Sequence, residues 1–226
     1  MNELDDLRRQ ALQANLALPA EHLVKLTWGN VSGIDRKRGL VAIKASGVSY
    51  EEMTAGDIVV LDLDGNVVGG ERRPSTDTPT HLVLYRAFEE IGGIVHTHST
   101  WATAWAQAQR EIPLLGTTHA DLSAYPIPVT RPLTPEEVEE GYEAATGAAL
   151  SEAVGPRGAL EVPCVLLGRF ETGGHPSRLP SRRRYCPHVP LAIPPLYRLN
   201  RDTRQLVPRR CRTSAGCPRR PSRVSR

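Results

Sequence analysis

"DIVVLDLDGNVVGG", residues 57–70, sets two β-branched runs on either side of Asp64-Gly65-Asn66. An Asp-Gly pair between alternating apolar runs is the strongest short-range hairpin signal, so this stretch predicts two antiparallel strands. Working outward, the strand-like runs "LVKLTWGNVSGID" and "GLVAIKASGVSY" flank the turn-like "DRKRG", which extends the hairpin into an antiparallel meander. Helical patterns lie on both sides of it. "ELDDLRRQALQANLAL" repeats its apolar residues near every 3.6 positions and is expected to end before Pro19. "TPTHLVLYRAFEEIG" predicts a helix with Thr78 as N-cap and Pro79 at its first position. "GGIVHTHS" follows as a buried strand, then "TWATAWAQAQ" as an Ala-rich helix. "TPEEVEEGYEAATGAALSEAV" reads as a helix capped by Thr134 with acids in its first turn, and "EVPCVLL" as a further core strand.

A chain of 226 residues supports one substantial core. Its start is charged and helical in character, with neither a signal peptide nor a membrane span, so a cytoplasmic location is the expectation. The net charge of +3 conceals two unlike segments. Residues 168–226 hold 15 Arg, no Lys and two acids, whereas residues 1–167 carry a net −10. The tail shows no sustained period of 2 or 3.6, only mixtures of Arg, Pro, Ser and Gly. Its three cysteines, Cys186, Cys211 and Cys217, match no zinc-ribbon or finger spacing. Little aromatic interleaving and no helical pattern argue against nucleic-acid binding, and disorder is the expected state.

The chemistry-bearing residues gather around residues 75–121. Side chains two apart on a strand share a face, so His96 and His98 can present both imidazoles to one ion. A solvent-facing pair with no metal is the commoner meaning of such spacing. Asp77, among small hydroxyl residues at the entrance of the preceding helix, would complete an N,N,O set suited to catalytic Zn²⁺; the alternative role for it is helix capping. "GTTHADLSAY" adds His119 and Asp121 in a loop that could reach the same cleft.

"LTWGNVSGID", "IKASGVSYEEM", "PSTDTPTHLVLYRAF", "GGIVHTHSTWATAWAQAQREIPLLGTTHADL" and "GYEAATG" resemble, in order and spacing, the L-ribulose-5-phosphate 4-epimerases of the class II aldolase and adducin-like superfamily. The resemblance covers residues 1 to about 167. It implies a three-layer α/β/α fold with a mainly antiparallel central sheet, and a homotetramer with active sites between subunits. It also implies a Zn²⁺-dependent retro-aldol and aldol reaction on a sugar phosphate, of the arabinose-type pentose catabolism. On this resemblance Asp77, His96 and His98 are metal ligands and Asp121 is a catalytic acid/base. Gly29, Asn30, Ser46, Gly47, Ser75 and Thr76 hold substrate, and Lys44 adds local positive charge. Asp at position 77, where fuculose-phosphate-type aldolases carry Glu, favours epimerase over a sugar-phosphate aldolase. A non-catalytic adducin-like binding module is the alternative of another class.

After "VLL" the resemblance stops. The family's third metal histidine and its C-terminal catalytic tyrosine have no counterpart, and His175 stands in an unrelated context. The abrupt change near residue 167 is what an out-of-frame reading of a GC-rich gene would produce, because shifted alanine codons become Pro or Arg codons.

Overall fold

The computed structural model describes residues 3–159, 165–166, 189–193, 197–199 and 206–208. The chain divides into two units, residues 1–194 and 195–226.

The first unit is organised by a six-stranded antiparallel sheet in the order β4-β3-β2-β1-β5-β6. The hairpin expected at residues 57–70 is β3 (Ile58–Asp62) and β4 (Val67–Gly69). Its turn is tied by Asp62, whose carboxylate accepts the amides of Asp64 and Asn66. The meander continues through β2 (Leu40–Lys44) and β1 (Asn30–Asp35), paired Ser32 to Ile43 and Asp35 to Leu40. Next to β1 lies β5 (Gly93–Thr97), with Asn30 opposite His96 and Ser32 opposite Ile94. β6 (Val189–Ile193) closes that edge, although the sequence shows no strand period there.

Alternate side chains of these strands enter different layers. On one face Val31, Ala42, Ile58, Val60 and Val95 pack with Ala11 and Leu18 of α1 (Glu3–Ala20). On the other, Val41 and Ile94 pack with Leu82, Leu84 and Tyr85 of α2 (Thr78–Ala87) and with Leu150 and Val154 of α5 (Pro135–Val154). The fold is therefore the expected three-layer α/β/α arrangement. Between β5 and α5 run α3 (Thr100–Gln107) and the short α4 (Thr117–Leu122). No described helix is long and apolar enough to cross a membrane. The second unit contains a two-stranded antiparallel pair, β7 (Tyr197–Leu199) and β8 (Leu206–Pro208).

Four local expectations need correction. α1 runs through Pro19 to Ala20; a proline in the last turn removes a hydrogen bond only where the ladder is already ending. The stretch before Asn30 is not strand, because Leu26 and Gly29 take positive φ values of 55° and 79° that turn the chain. α2 has Asp77, not Thr78, at its N-cap position, with Pro79 one residue further in than expected. Asp121 lies in α4 rather than in a loop. By contrast, Thr134 caps α5 in a reciprocal capping box with Glu137, as its sequence predicts. Of the expected strand at 161–167, the described Val165 and Leu166 are buried, and Leu166 bridges Val129 in parallel; the rest lies outside the described residues.

Candidate functional site

The site is built where the start of α2 meets the C-terminal end of β5. Asp77 occupies the N-cap position, yet its side chain makes no capping hydrogen bond. Its Oδ2 instead accepts from His96 Nδ1 at 2.6 Å and from Asn30 Nδ2 at 2.6 Å. Asn30 Nδ2 also lies 3.2 Å from Ser75 Oγ, which accepts the backbone amide of Asp77. A half-buried carboxylate held by two donors is fixed in direction as well as charge.

His98 lies one residue beyond the end of β5, with its ring beside that of His96. Their rings stack with centroids 4.9 Å apart, and Trp28 stacks on His98 at 5.5 Å. Burial holds the His98 pKa down to about 4, and neighbouring His96 pushes it the same way, so His98 is neutral at pH 7. Neutral imidazoles are the form that ligates metals.

Gly29 allows this arrangement. Its φ is +79°, and an added Cβ would lie 2.6 Å from Val24 Cγ1 and 2.7 Å from the His96 carbonyl oxygen. Only glycine lets the chain pass this close to the histidine strand. Tyr50 ties the same bend by donating to the carbonyls of Gly29 (2.8 Å) and Trp28 (3.1 Å). Beside it Lys44 is buried, its Nζ 3.4 Å from the Thr27 carbonyl and 5.1 Å from the Tyr50 ring centre. Burial lowers its pKa, while the charges of Asp57 and Asp77 oppose that shift.

The sequence-derived residues thus divide. Gly29, Asn30, Ser75, Asp77, His96 and His98 come together in one cluster. Ser46 and Gly47 are exposed and adjoin it through the backbone, since Ser75 N–H donates to Lys44 O and Ser46 N–H to Arg73 O. Thr76 is exposed. Asp121 is exposed on α4 and is not part of the cluster, and His119 donates to the Tyr125 carbonyl at 3.0 Å. A cavity of about 860 Å³ is lined by Ser46, Gly47, Ser49, Thr54, Arg8 and Arg72 among others. Asp77, His96 and His98 do not line it, so the hydrogen-bonded chemistry lies outside this cavity. Trp28 joins the site without being expected from the sequence, as do His81, Ser32 and Tyr85 one layer deeper. The four-residue spacing of 77, 81 and 85 is the signal that points to the last group.

Two imidazoles and a carboxylate are the right donor types for a borderline divalent ion. Among the described residues, however, no group of three or more His, Cys, Asp or Glu is arranged to hold one. The Asp77 carboxylate is engaged with His96 Nδ1 instead. His175 lies outside the described residues.

Comparison with known proteins agrees with this architecture. Residues 9–169 match the family model "Class II Aldolase and Adducin N-terminal domain", and the chain belongs to that family. Among solved structures it is similar to an L-fuculose 1-phosphate aldolase at 27% identity and a TM-score of 0.63, over 83% of this chain and 74% of that one. It also shares the fold of YgbL from Escherichia coli (17% identity, TM-score 0.59, 84% and 80% of the two chains). A third likeness in fold is the L-fuculose-1-phosphate aldolase from Thermus thermophilus (20% identity, TM-score 0.54, 84% and 79% of the two chains).

Proposed function

We propose that the chain is a sugar-phosphate enzyme of the class II aldolase type and, within that type, an L-ribulose-5-phosphate 4-epimerase. The observation that carries the reading is Asp77, an aspartate whose carboxylate forgoes helix capping to bond His96. In the proposed reaction the C4 hydroxyl loses its proton as the C3–C4 bond breaks. The bonding pair passes to the ketose fragment as an enediolate, and glycolaldehyde phosphate is released beside it. The aldehyde turns, the pair attacks its opposite face, and the returned proton leaves C4 inverted as in D-xylulose 5-phosphate. Asp121 is the proposed acid/base that carries the proton on one side. Ser46, Gly47, Ser75 and Thr76, with the Gly29-Asn30 turn, would bind the phosphate and hydroxyls through short hydroxyls and backbone amides. Lys44 adds positive charge beside them.

By donor type Asp77, His96 and His98 are the residues proposed to hold a divalent ion such as Zn²⁺, which would require the Asp77 carboxylate to leave His96 Nδ1; bound there, the ion would supply electrophilic stabilisation of the enediolate charge. A homotetramer is the proposed assembly, supported by exposed Leu26, Trp101 and Leu115. Residues 168–226 lack the third histidine and tyrosine of the epimerases, and we read them as out of frame. The chain as it stands should therefore turn over slowly; sequencing codons 160–180 in independent clones tests this, and an intact frame in all of them would overturn it.

The decisive assay gives the Zn²⁺-supplemented chain L-ribulose 5-phosphate and, separately, L-fuculose 1-phosphate. Epimerisation of the first that falls about 100-fold or more in Asp77→Asn supports the reading. Cleavage of the second without epimerisation of the first makes the chain an aldolase. Turnover of neither, together with no zinc uptake, would remove the catalytic reading.

A further inference from the structure

One layer deeper than Asp77, between α2 and the sheet, three side chains that the proposed reaction does not touch form a hydrogen-bonded chain. His81 Nδ1 lies 2.7 Å from Ser32 Oγ, which lies 2.8 Å from the Tyr85 hydroxyl. His81 and Ser32 are each 1% exposed and Tyr85 is 0% exposed. Their placement follows from two periodicities. Residues 77, 81 and 85 are four apart and stack along the face of α2 that meets the sheet. Asn30 and Ser32 are two apart and share the face of β1 turned toward it. The result is two polar rungs, an outer one of Asp77, Asn30 and His96 and an inner one of His81, Ser32 and Tyr85. The His81 amide donates to the Asp77 carbonyl at 3.1 Å and joins them.

A proton count gives the inner rung a direction. The buried phenol of Tyr85 must place its proton on an acceptor, and Ser32 Oγ is the acceptor beside it. The backbone amide of Ile94 also lies on the Tyr85 oxygen, and as a donor it cannot take that proton. Ser32 therefore has its own proton to give, and His81 Nδ1 is positioned to receive it. That leaves His81 protonated on Nε2.

We propose that Tyr85, Ser32 and His81 are positioning residues, a one-way hydrogen-bond relay that fixes His81 as the Nε2–H tautomer. Through the His81 backbone, the relay locks the first turn of α2 so that the Asp77 carboxylate stays on His96. The relay acts on Asp77 and so matters to function only under the reading above. Its test is made without metal or substrate, so the two stand or fall separately.

The full chain, labelled with ¹⁵N-histidine, should show His81 as a neutral imidazole with its proton on Nε2. A proton on Nδ1, or a mixture of tautomers in the unmodified protein, overturns the relay. Tyr85→Phe removes only the hydroxyl. It should convert His81 to a tautomer mixture and speed exchange of the His96 Nδ1 proton about tenfold or more, in line with the usual effect of orienting partners. Val41→Ala, in the same layer, should lower the thermal midpoint while changing neither signal. If Tyr85→Phe does not fold, Ser32→Thr, which keeps a hydroxyl, should retain both signals and Ser32→Ala should lose them. Equal behaviour of the two Ser32 variants, or unchanged His96 exchange in Tyr85→Phe, overturns the positioning role.

Discussion

The two faces of the central sheet are made by alternate residues of the same strands, yet they do different work. Toward α1 the strands β1, β3 and β5 present Val31, Val60 and Val95, an apolar face. Toward α2 the neighbouring positions on β1 and β5 are Asn30, Ser32, Ile94 and His96, a mixed face that hosts a hydrogen-bonded cluster. The pleat thus gathers Asn30, Ser32 and His96 on one face of β1 and β5, while buried Asn15 and Lys44 are polar groups of the α1 side. One face can be packed for cohesion while the other, one residue along, keeps buried polar groups that must all find partners.

The largest break in that comparison should come from the cohesive face. Ile58 is fully buried in the α1-side core, and Ile58→Ala is expected to cost about 2–5 kcal/mol in urea unfolding. The His96 Nδ1 proton signal should nonetheless survive in the folded fraction. Its loss there would show that the faces are not separable. At the seam between them, Gly29→Ala should cost at least about 2 kcal/mol, from a left-handed backbone and a crowded Cβ together. Unlike Ile58→Ala, it should also disturb His98, because the added methyl pushes against the histidine strand; unchanged imidazole shifts would contradict this.

The smallest effect concerns the helical layer on the α2 side. Exposed Arg131 pairs with Glu137 at 2.7 Å and with Glu152 at 2.8 Å. Hydrogen bonds from the Arg131 side chain and the Thr134 amide hold the Glu137 pKa down to about 2. A folded pKa below the unfolded value stabilises fully above the unfolded value of about 4.3 and is lost as pH falls toward about 2. Arg131→Ala should therefore flatten the acid limb of a stability curve between those values. A limb of unchanged slope would sink the assignment.

Much of the framework was legible in the sequence because its signals are local. The Asp-Gly turn, the apolar alternation of β2 and β3, the α5 capping box and the helix read over 78–92, which the structure ends at Ala87, each depend on residues within a few positions of one another. His96 and His98 were legible as a same-face pair for the same reason. What local pattern misjudged was the start of α2. Thr78 is an acceptable N-cap by type, but its hydroxyl donates to the Ser75 carbonyl, and the N-cap position falls to Asp77. The inner rung was hidden because His81 and Tyr85 read as ordinary members of an amphipathic helix. Ser32 lies 49 residues from His81 in sequence, and nothing local couples them. β6 was hidden too, since its residues carry no alternating pattern and pair through the edge of β5.

By itself the sequence determined most of the elements before residue 160 and their order, together with the residue types proposed to bind a sugar phosphate or a metal, because turn chemistry, capping and periodicity act over short range. The tertiary structure alone decided which of those residues meet. Asp77 faces His96 across 19 residues and Asn30 across 47, and Gly29 is indispensable only because the histidine strand passes within van der Waals reach of it. Those facts belong to sheet register and layer packing, which bring distant polar groups into one dry place where each must answer the other's hydrogen bonds.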